Sequence, residues 1–511
     1  MIVDTGSGKV QGLEKHGVVQ FRGIPYARAH RFRASQAVEP WTGIRDATAF
    51  GPISPQNPSP LESMLGAQNE PGVEDCLVAN VYAPAADGAA RPVLVWIHGG
   101  AFVAGSGHVA WYDGTNLART GDVVVVTLNY RLGALGFLHL GHLDAGFAGS
   151  GANGIGDQVN ALRWVRDNIA AFGGDPGNVT VFGESAGGMS VGTLLGTPSA
   201  TGLFHAAIAQ SGAASNSHDS EVAEWVTDRF LAALSLSPAT ADRLLALPVD
   251  EILRAQAAVQ ADVETGGRPG VRPAVGQLAF QPVVEGTILP RPPLEAIRGG
   301  SAAGVDVVAG TTADEWNLFH VQARTNGALS EEQVRRRFAR LVGDDRIDDA
   351  FAVYRSARPD ADPDGLFCAA MTDRVFRTPA IRLAEAQLPH ADRVSMYRFD
   401  YPSRAFGGVL GACHAIDVPF AFANLDRGGV DMFLGGVDDG ARGLADRVSR
   451  AWVAAARSGS PEHDDLPWPA YDLGRRVTCL LDRQPAVLDD PDHEVRLLWD
   501  EVAPAPSAAR P

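Results

Sequence analysis

Short, continuous apolar runs alternate along this chain with stretches whose apolar residues recur at helical spacing. "GVVQFRGIPYA" (residues 17–27) and "CLVANVYAP" (76–84) read as early strands. "PVLVWIHGG" (92–100) and "DVVVVTLNY" (122–130) are apolar without interruption, the pattern of strands covered on both faces. Val159, Leu162, Val165 and Ile169 then fall on one helical face, and "FGGDP" ends that helix. "VTVF" (179–182) follows as a buried strand. This strand–helix–strand order predicts a parallel sheet. Further strands are expected at 204–213, 305–316 and 393–401. A helix is expected to start at a Ser220 cap, and a late amphipathic helix to occupy 440–461 before Gly459 and Pro461. Residues 50–72, rich in Pro, Gly and Ser, read as a long irregular loop.

The run at 179–182 ends in Gly183-Glu184-Ser185-Ala186-Gly187, after which a helix can begin. Glycines on both sides of a serine imply a turn too tight for side chains, with the serine oxygen exposed above the sheet. Glycine-x-serine-x-glycine between a strand and a helix is the nucleophile-elbow pattern. A serine that attacks carbonyl carbon also needs donors for the oxyanion that forms. "HGGAF" (98–102) follows the strand "VLVWI" and supplies such a loop on the same rim. The serine needs a base and the base a carboxylate, in the chain order serine, acid, histidine. "GTTADEWNLF" offers Asp314 or Glu315, and "GACHAIDVPF" offers His414. A histidine base of ordinary pKa, near ~6.5, would give a rate rising from acid pH to an alkaline plateau.

Composition narrows the remaining classes. Of 511 residues, 45% are hydrophobic and 20% charged, as in ordinary globular proteins. A net charge of −17 argues against a nucleic-acid partner. No apolar stretch is long enough to span a bilayer, and the N-terminus lacks the pattern of a secretory signal. Cys76, Cys368, Cys413 and Cys479 are scattered and show no metal-ligand spacing. The expectation is a cytoplasmic protein with free thiols, no metal and no cofactor.

"FRGIPYA", "EDCLVANVYAP", "WIHGGAF", "NYRLGALGFL", "AAFGGDPGNVTVFGESAGG", "GTTADEW" and "CHAIDVPFAF" occur in this order over nearly the whole chain. In these pieces the chain resembles the type-B carboxylesterase/lipase family, which includes bacterial p-nitrobenzyl esterases, cholinesterases and liver-type carboxylesterases. The resemblance implies an α/β-hydrolase fold, a mostly parallel sheet flanked by helices with large helical insertions, as one domain over 1–500 with a flexible tail at 501–511. It implies Ser185 as nucleophile, Glu315 as acid and His414 as base, with Gly100, Ala101 and Ala186 amides as the oxyanion hole. It also suggests buried ion pairs of Arg31 with Glu74 and Arg131 with Asp175. Cys76 occupies the position that secreted relatives use for a disulfide, and no cysteine precedes it. Met189, Trp316 and Phe319 are candidates for lining an acyl pocket. The substrate class expected is a small neutral carboxylic ester of a short to medium acid. Amide, carbamate or lactone hydrolysis uses the same machinery, and a non-catalytic binding protein on this fold is the alternative of a different class.

Overall fold

The computed structural model describes residues 1–59, 63–64, 71–84, 88–266, 278–323 and 328–502. Part of the 50–72 loop and nearly all of the 501–511 tail lie outside them.

Eleven strands form the central sheet: β1 (Leu13–Lys15), β2 (Val18–Pro25), β3 (Val78–Ala83), β4 (Arg91–Ile97), β5 (Val124–Leu128), β6 (Gly174–Glu184), β7 (Ala206–Gln210), β8 (Asp306–Thr312), β9 (Val394–Phe399), β10 (Val477–Leu481) and β11 (Ala486–Asp489). Their spatial order is β11-β10-β9-β8-β7-β6-β4-β5-β3-β2-β1. From β5 to β10 all neighbours are parallel, while β1, β2 and β3 on one side and β11 on the other pair antiparallel.

The uninterrupted apolar runs have a direct cause. In β4, Val93, Val95 and Ile97 face one core, while Leu94 and Trp96 face a second core on the other side of the sheet. Alternate side chains leave opposite faces of a strand, so a strand covered twice must be apolar at every position. Trp96 packs edge-on against Phe182 and Phe422, with ring centroids 4.9 and 5.0 Å apart. Each such fully buried large side chain contributes about 1.5–3 kcal/mol.

Helix α1 (Asn153–Asn168) buries Val159, Leu162 and Val165 as the spacing predicts. The expected Ser220 cap is displaced by one residue. Asp219 caps the helix Ser220–Ala233 by accepting the Val222 amide at 2.8 Å, because a carboxylate complements the positive helix end better than a hydroxyl. Ser220 is the first helical residue, and its hydroxyl donates to the Val284 carbonyl. The late helix spans Asp439–Ser458 and stops at Gly459, whose φ of 75° only glycine adopts without strain. A third apolar cluster joins the helices Glu331–Val342, Ile347–Ala357 and Pro363–Thr372, inserted between β8 and β9, to the C-terminal helix His493–Glu501. Among the described residues no helix is long and apolar enough to cross a membrane.

One expected ion pair is replaced. Arg131 pairs with Asp157 of α1, not with Asp175: its Nε and Nη2 each donate at 2.7 Å to a carboxylate that is fully buried. A carboxylate in that position requires a cation, whereas Asp175 lies partly exposed and accepts the Gly177 amide in a local turn. Arg31 and Glu74 do form a two-pronged pair, Arg31 Nε donating at 2.9 Å. All four cysteines are buried free thiols.

Candidate active site

The strand order reverses at β4: β5 lies on one side of it and β6 on the other. Crevices at such switch points, beyond the carboxyl ends of the strands, are where open α/β sheets bind ligands. Both glycine motifs emerge there, since Gly183 of β6 pairs with Ile97 of β4.

Ser185 joins β6 to helix α2 (Ala186–Leu195) with φ 57° and ψ −125°, a strained conformation for a residue with a side chain. The packing explains the glycines. A Cβ on Gly187 would come within 2.0 Å of the Ile97 carbonyl oxygen, and one on Gly183 within 2.6 Å of the same atom. A Cβ on Gly99 would sit 3.1 Å from the Ser185 Cβ. The 98–102 loop therefore lies directly against the elbow. Gly100, Ala101 and Phe102 all have positive φ, and no acceptor among the described residues takes the amide hydrogens of Gly100 or Ala101. Ala186 is the first residue of α2, where amides lack intrahelical acceptors. The loop is fixed from behind. His98 is buried, stacks on Tyr130 at 4.5 Å, and accepts the Tyr130 hydroxyl on its carbonyl at 3.0 Å. Burial pushes the His98 imidazole down to about 4, so this ring stays neutral.

His414 and Glu315 meet in the same place. The His414 Nδ1 donates to Glu315 Oε2 at 2.6 Å, and both side chains are almost fully buried. The other Glu315 oxygen accepts the Ser211 hydroxyl at 2.6 Å and the Thr312 amide at 2.8 Å, so the carboxylate has one orientation. Asp314 turns away and accepts the Ala412 amide at 3.0 Å, fastening the acid-bearing loop to the histidine-bearing one. The two acidic side chains diverge, and Glu315 is the first residue of a helix (Glu315–Ala323, α3). His414 Nε2 stands 3.2 Å from Glu184 Oε1 and has no hydrogen bond among the described residues.

The electrostatics depart from the expected ordinary histidine. Burial alone would push the His414 imidazole down, but the Glu184 carboxylate and then Glu315 outweigh it and raise the ring to about 9. Asp417, on the same loop, accepts Gln210 Nε2 at 3.0 Å and the Tyr397 hydroxyl at 2.9 Å, tying that loop to β7 and β9. Burial raises its carboxyl to about 6.

Of the three apolar candidates, Phe319 packs on His414 with ring centroids 4.9 Å apart, and Trp316 packs on Phe319 at 5.0 Å. Met189 is nearly buried in the core, one turn past the elbow. Sequence reasoning passed over Phe376, whose ring lies 4.8 Å from that of His414. It also passed over Glu184 and Ser211. Glu184 is the variable residue inside the elbow motif, and Ser211 follows the end of β7 on the same rim, a position that marks it.

A description of the carboxylesterase family matches residues 1–495. The chain is 39% identical over 500 residues to the para-nitrobenzyl esterase of Bacillus subtilis (strain 168), covering 97% of each. It is 36% identical to a phenmedipham hydrolase of Pseudarthrobacter oxydans, covering 92% of each. A solved thermophilic PNB esterase superposes with a TM-score of 0.87 at 38% identity, covering 98% of this chain and 99% of the other.

Proposed function

We infer the reaction from one premise: this chain belongs to the carboxylesterase family. The reading is hydrolysis of neutral carboxylic esters of short to medium acids through an acyl-enzyme on Ser185. The observation that carries it is the His414–Glu315 contact of 2.6 Å beside a serine held in a strained elbow. His414 Nε2, on the elbow side of the ring, takes the Ser185 hydroxyl proton as Oγ attacks the ester carbonyl. The carbonyl oxygen, now negative, is met by the amides of Gly100, Ala101 and Ala186. The imidazolium is stabilised by Glu315 at Nδ1 and then protonates the departing alcohol. Water deprotonated by the same ring attacks the acyl-enzyme, and collapse of the second tetrahedral intermediate releases the acid and restores Ser185.

The preference for neutral esters rests on the composition of the loop before the "EDC" motif, where cholinesterases place an aromatic that holds a quaternary ammonium. Residues 51–75 contain no Trp, Tyr or Phe. Phe319 and Phe376 beside His414, with Trp316 and Met189 behind, give the acyl side an apolar character.

Ser185→Ala should leave a folded protein with p-nitrophenyl butyrate turnover at background. An organophosphate should add its mass to the peptide holding Ser185. Labelling at Ser190 or Ser211 instead would overturn the assignment. Butyrylcholine should be a far poorer substrate than p-nitrophenyl butyrate, and an equal kcat/KM for butyrylcholine and its uncharged isostere would overturn the neutral preference.

A further inference from the structure

A second cluster of chemically capable side chains lies outside the proposed triad and shares no residue with it. Three segments build it. The chain folds back after Leu140, whose carbonyl accepts the amides of Leu143 and Asp144, and this turn stacks the His139 and His142 rings 5.0 Å apart. The helix Ser220–Ala233 passes beside the turn, held by the Thr227 hydroxyl donating to the His139 carbonyl at 2.6 Å. It presents Glu224, and one donor atom from each of His139, His142 and Glu224 lies within 4.8 Å of the others. The third segment follows the short strand Val283–Val284 and brings Glu285, whose Oε2 accepts His139 Nδ1 at 3.1 Å.

We propose that His139, His142 and Glu224 bind a divalent transition-metal ion of the zinc type, with Glu285 orienting His139 for it. Two imidazoles and one carboxylate are a donor set suited to zinc, nickel or copper, and leave a further position for water. A bond from Nδ1 to a carboxylate leaves Nε2 as the coordinating atom and raises its basicity, the usual support of a metal-bound histidine. Donor atoms around tetrahedral zinc stand about 3.3 Å apart, given metal–ligand bonds of about 2.0 Å. Closing from the present spacing takes small rotations of His142 and Glu224, neither of which is fully buried.

Two observations separate this cluster from an ordinary solvated one. The Glu285 side chain is only 3% exposed, and its Oε1 is buried without a hydrogen-bond partner among the described residues. A buried carboxylate with an unpartnered oxygen is costly, and a dication reached through His139 offsets the cost. The nearby charge is also one-sided. Glu224, Glu285 and, one turn along the helix from Glu224, Asp228 are acidic, and the adjacent Arg229 is engaged by Asp262 at 2.9 Å.

The test uses the full-length protein, stripped with EDTA and desalted. It is titrated with ZnCl2 by calorimetry and with CoCl2 by visible absorption, and thermal unfolding is followed with and without Zn2+. Expected are one saturable zinc site per chain, d–d bands of low-symmetry Co2+, and a higher Tm with zinc. His142→Ala and Glu224→Gln, both at accessible positions, should remove the bands and the Tm response. Glu285→Gln should retain the site with affinity weakened about 10–100-fold. No saturable binding, or binding and bands unchanged in the His142→Ala/Glu224→Gln double variant, would overturn the proposal.

Discussion

Glu184→Gln should move the acid limb of the pH–rate profile to lower pH. A histidine base works only when neutral, and His414 is raised to about 9. At pH 7 only about one ring in a hundred is then in the working form, and the rate should climb about tenfold per pH unit until the limb flattens. Glu184 Oε1 lies 3.2 Å from the Nε2 that must accept the proton. Unit charges at that separation attract by about 5 kcal/mol at an effective dielectric of about 20. Desolvation of both groups cancels much of this. If a quarter survives, about 1.3 kcal/mol remains, or about one pH unit. The variant should therefore show its kcat/KM limb displaced downward by at least about one unit, with a lower plateau because the transition-state imidazolium loses a neighbouring charge. The assay is p-nitrophenyl butyrate hydrolysis from about pH 5 to 10 at fixed ionic strength, corrected for spontaneous hydrolysis, with near-ultraviolet dichroism to verify folding. A wild-type limb near ~6.5, or a limb that stays near 9 in the variant, would refute the assignment of Glu184.

Three further outcomes are expected. Glu315→Gln should lower kcat by about 10⁴, as loss of the triad carboxylate does elsewhere, while Asp314→Asn keeps an acceptor for the Ala412 amide and most of the turnover; the reverse result would show the acid misassigned by one residue. Ser211→Ala should cut kcat by about ten- to a hundredfold at unchanged KM, since a hydrogen bond to a charged group contributes about 1.5–3 kcal/mol; an unchanged kcat would show that Glu315 is held by Thr312 alone. Asp157→Asn should destabilise by about 3–5 kcal/mol in urea unfolding, and Asp175→Asn by well under 1 kcal/mol; equal effects would contradict the Arg131–Asp157 pairing.

Most of the sheet was legible because its strands are buried on both faces and so write themselves as unbroken apolar runs. The elbow and the 98–102 loop were legible because close backbone approach leaves room for glycine only, as Gly187 against Ile97 shows. The partner of Arg131 was not. Asp157 sits on a helix whose sequence gives no sign that its polar residue points inward, and the resemblance suggested Asp175 instead. The raised basicity of His414 was also hidden, because it depends on Glu184, a residue distant in sequence that only the folded chain brings to the ring. The same holds for His139, His142, Glu224 and Glu285: their common location is a product of three segments, and only the two histidines are close in sequence.

The placement of the paired groups has a consequence for biosynthesis. Glu315 and His414 are 99 residues apart, and Ser185 precedes both. On the proposed mechanism, a ribosome has therefore made the serine and its elbow long before the base that would activate it. The nascent chain carries an inert alcohol, and chemical competence arrives only when the strands on the far side of the sheet dock and bring the histidine loop over the elbow. Recovery of ester turnover during refolding is thus a late-stage clock, reporting the closing of the longest-range contacts where secondary-structure signals would already be complete. A chain truncated before the histidine loop should show no turnover.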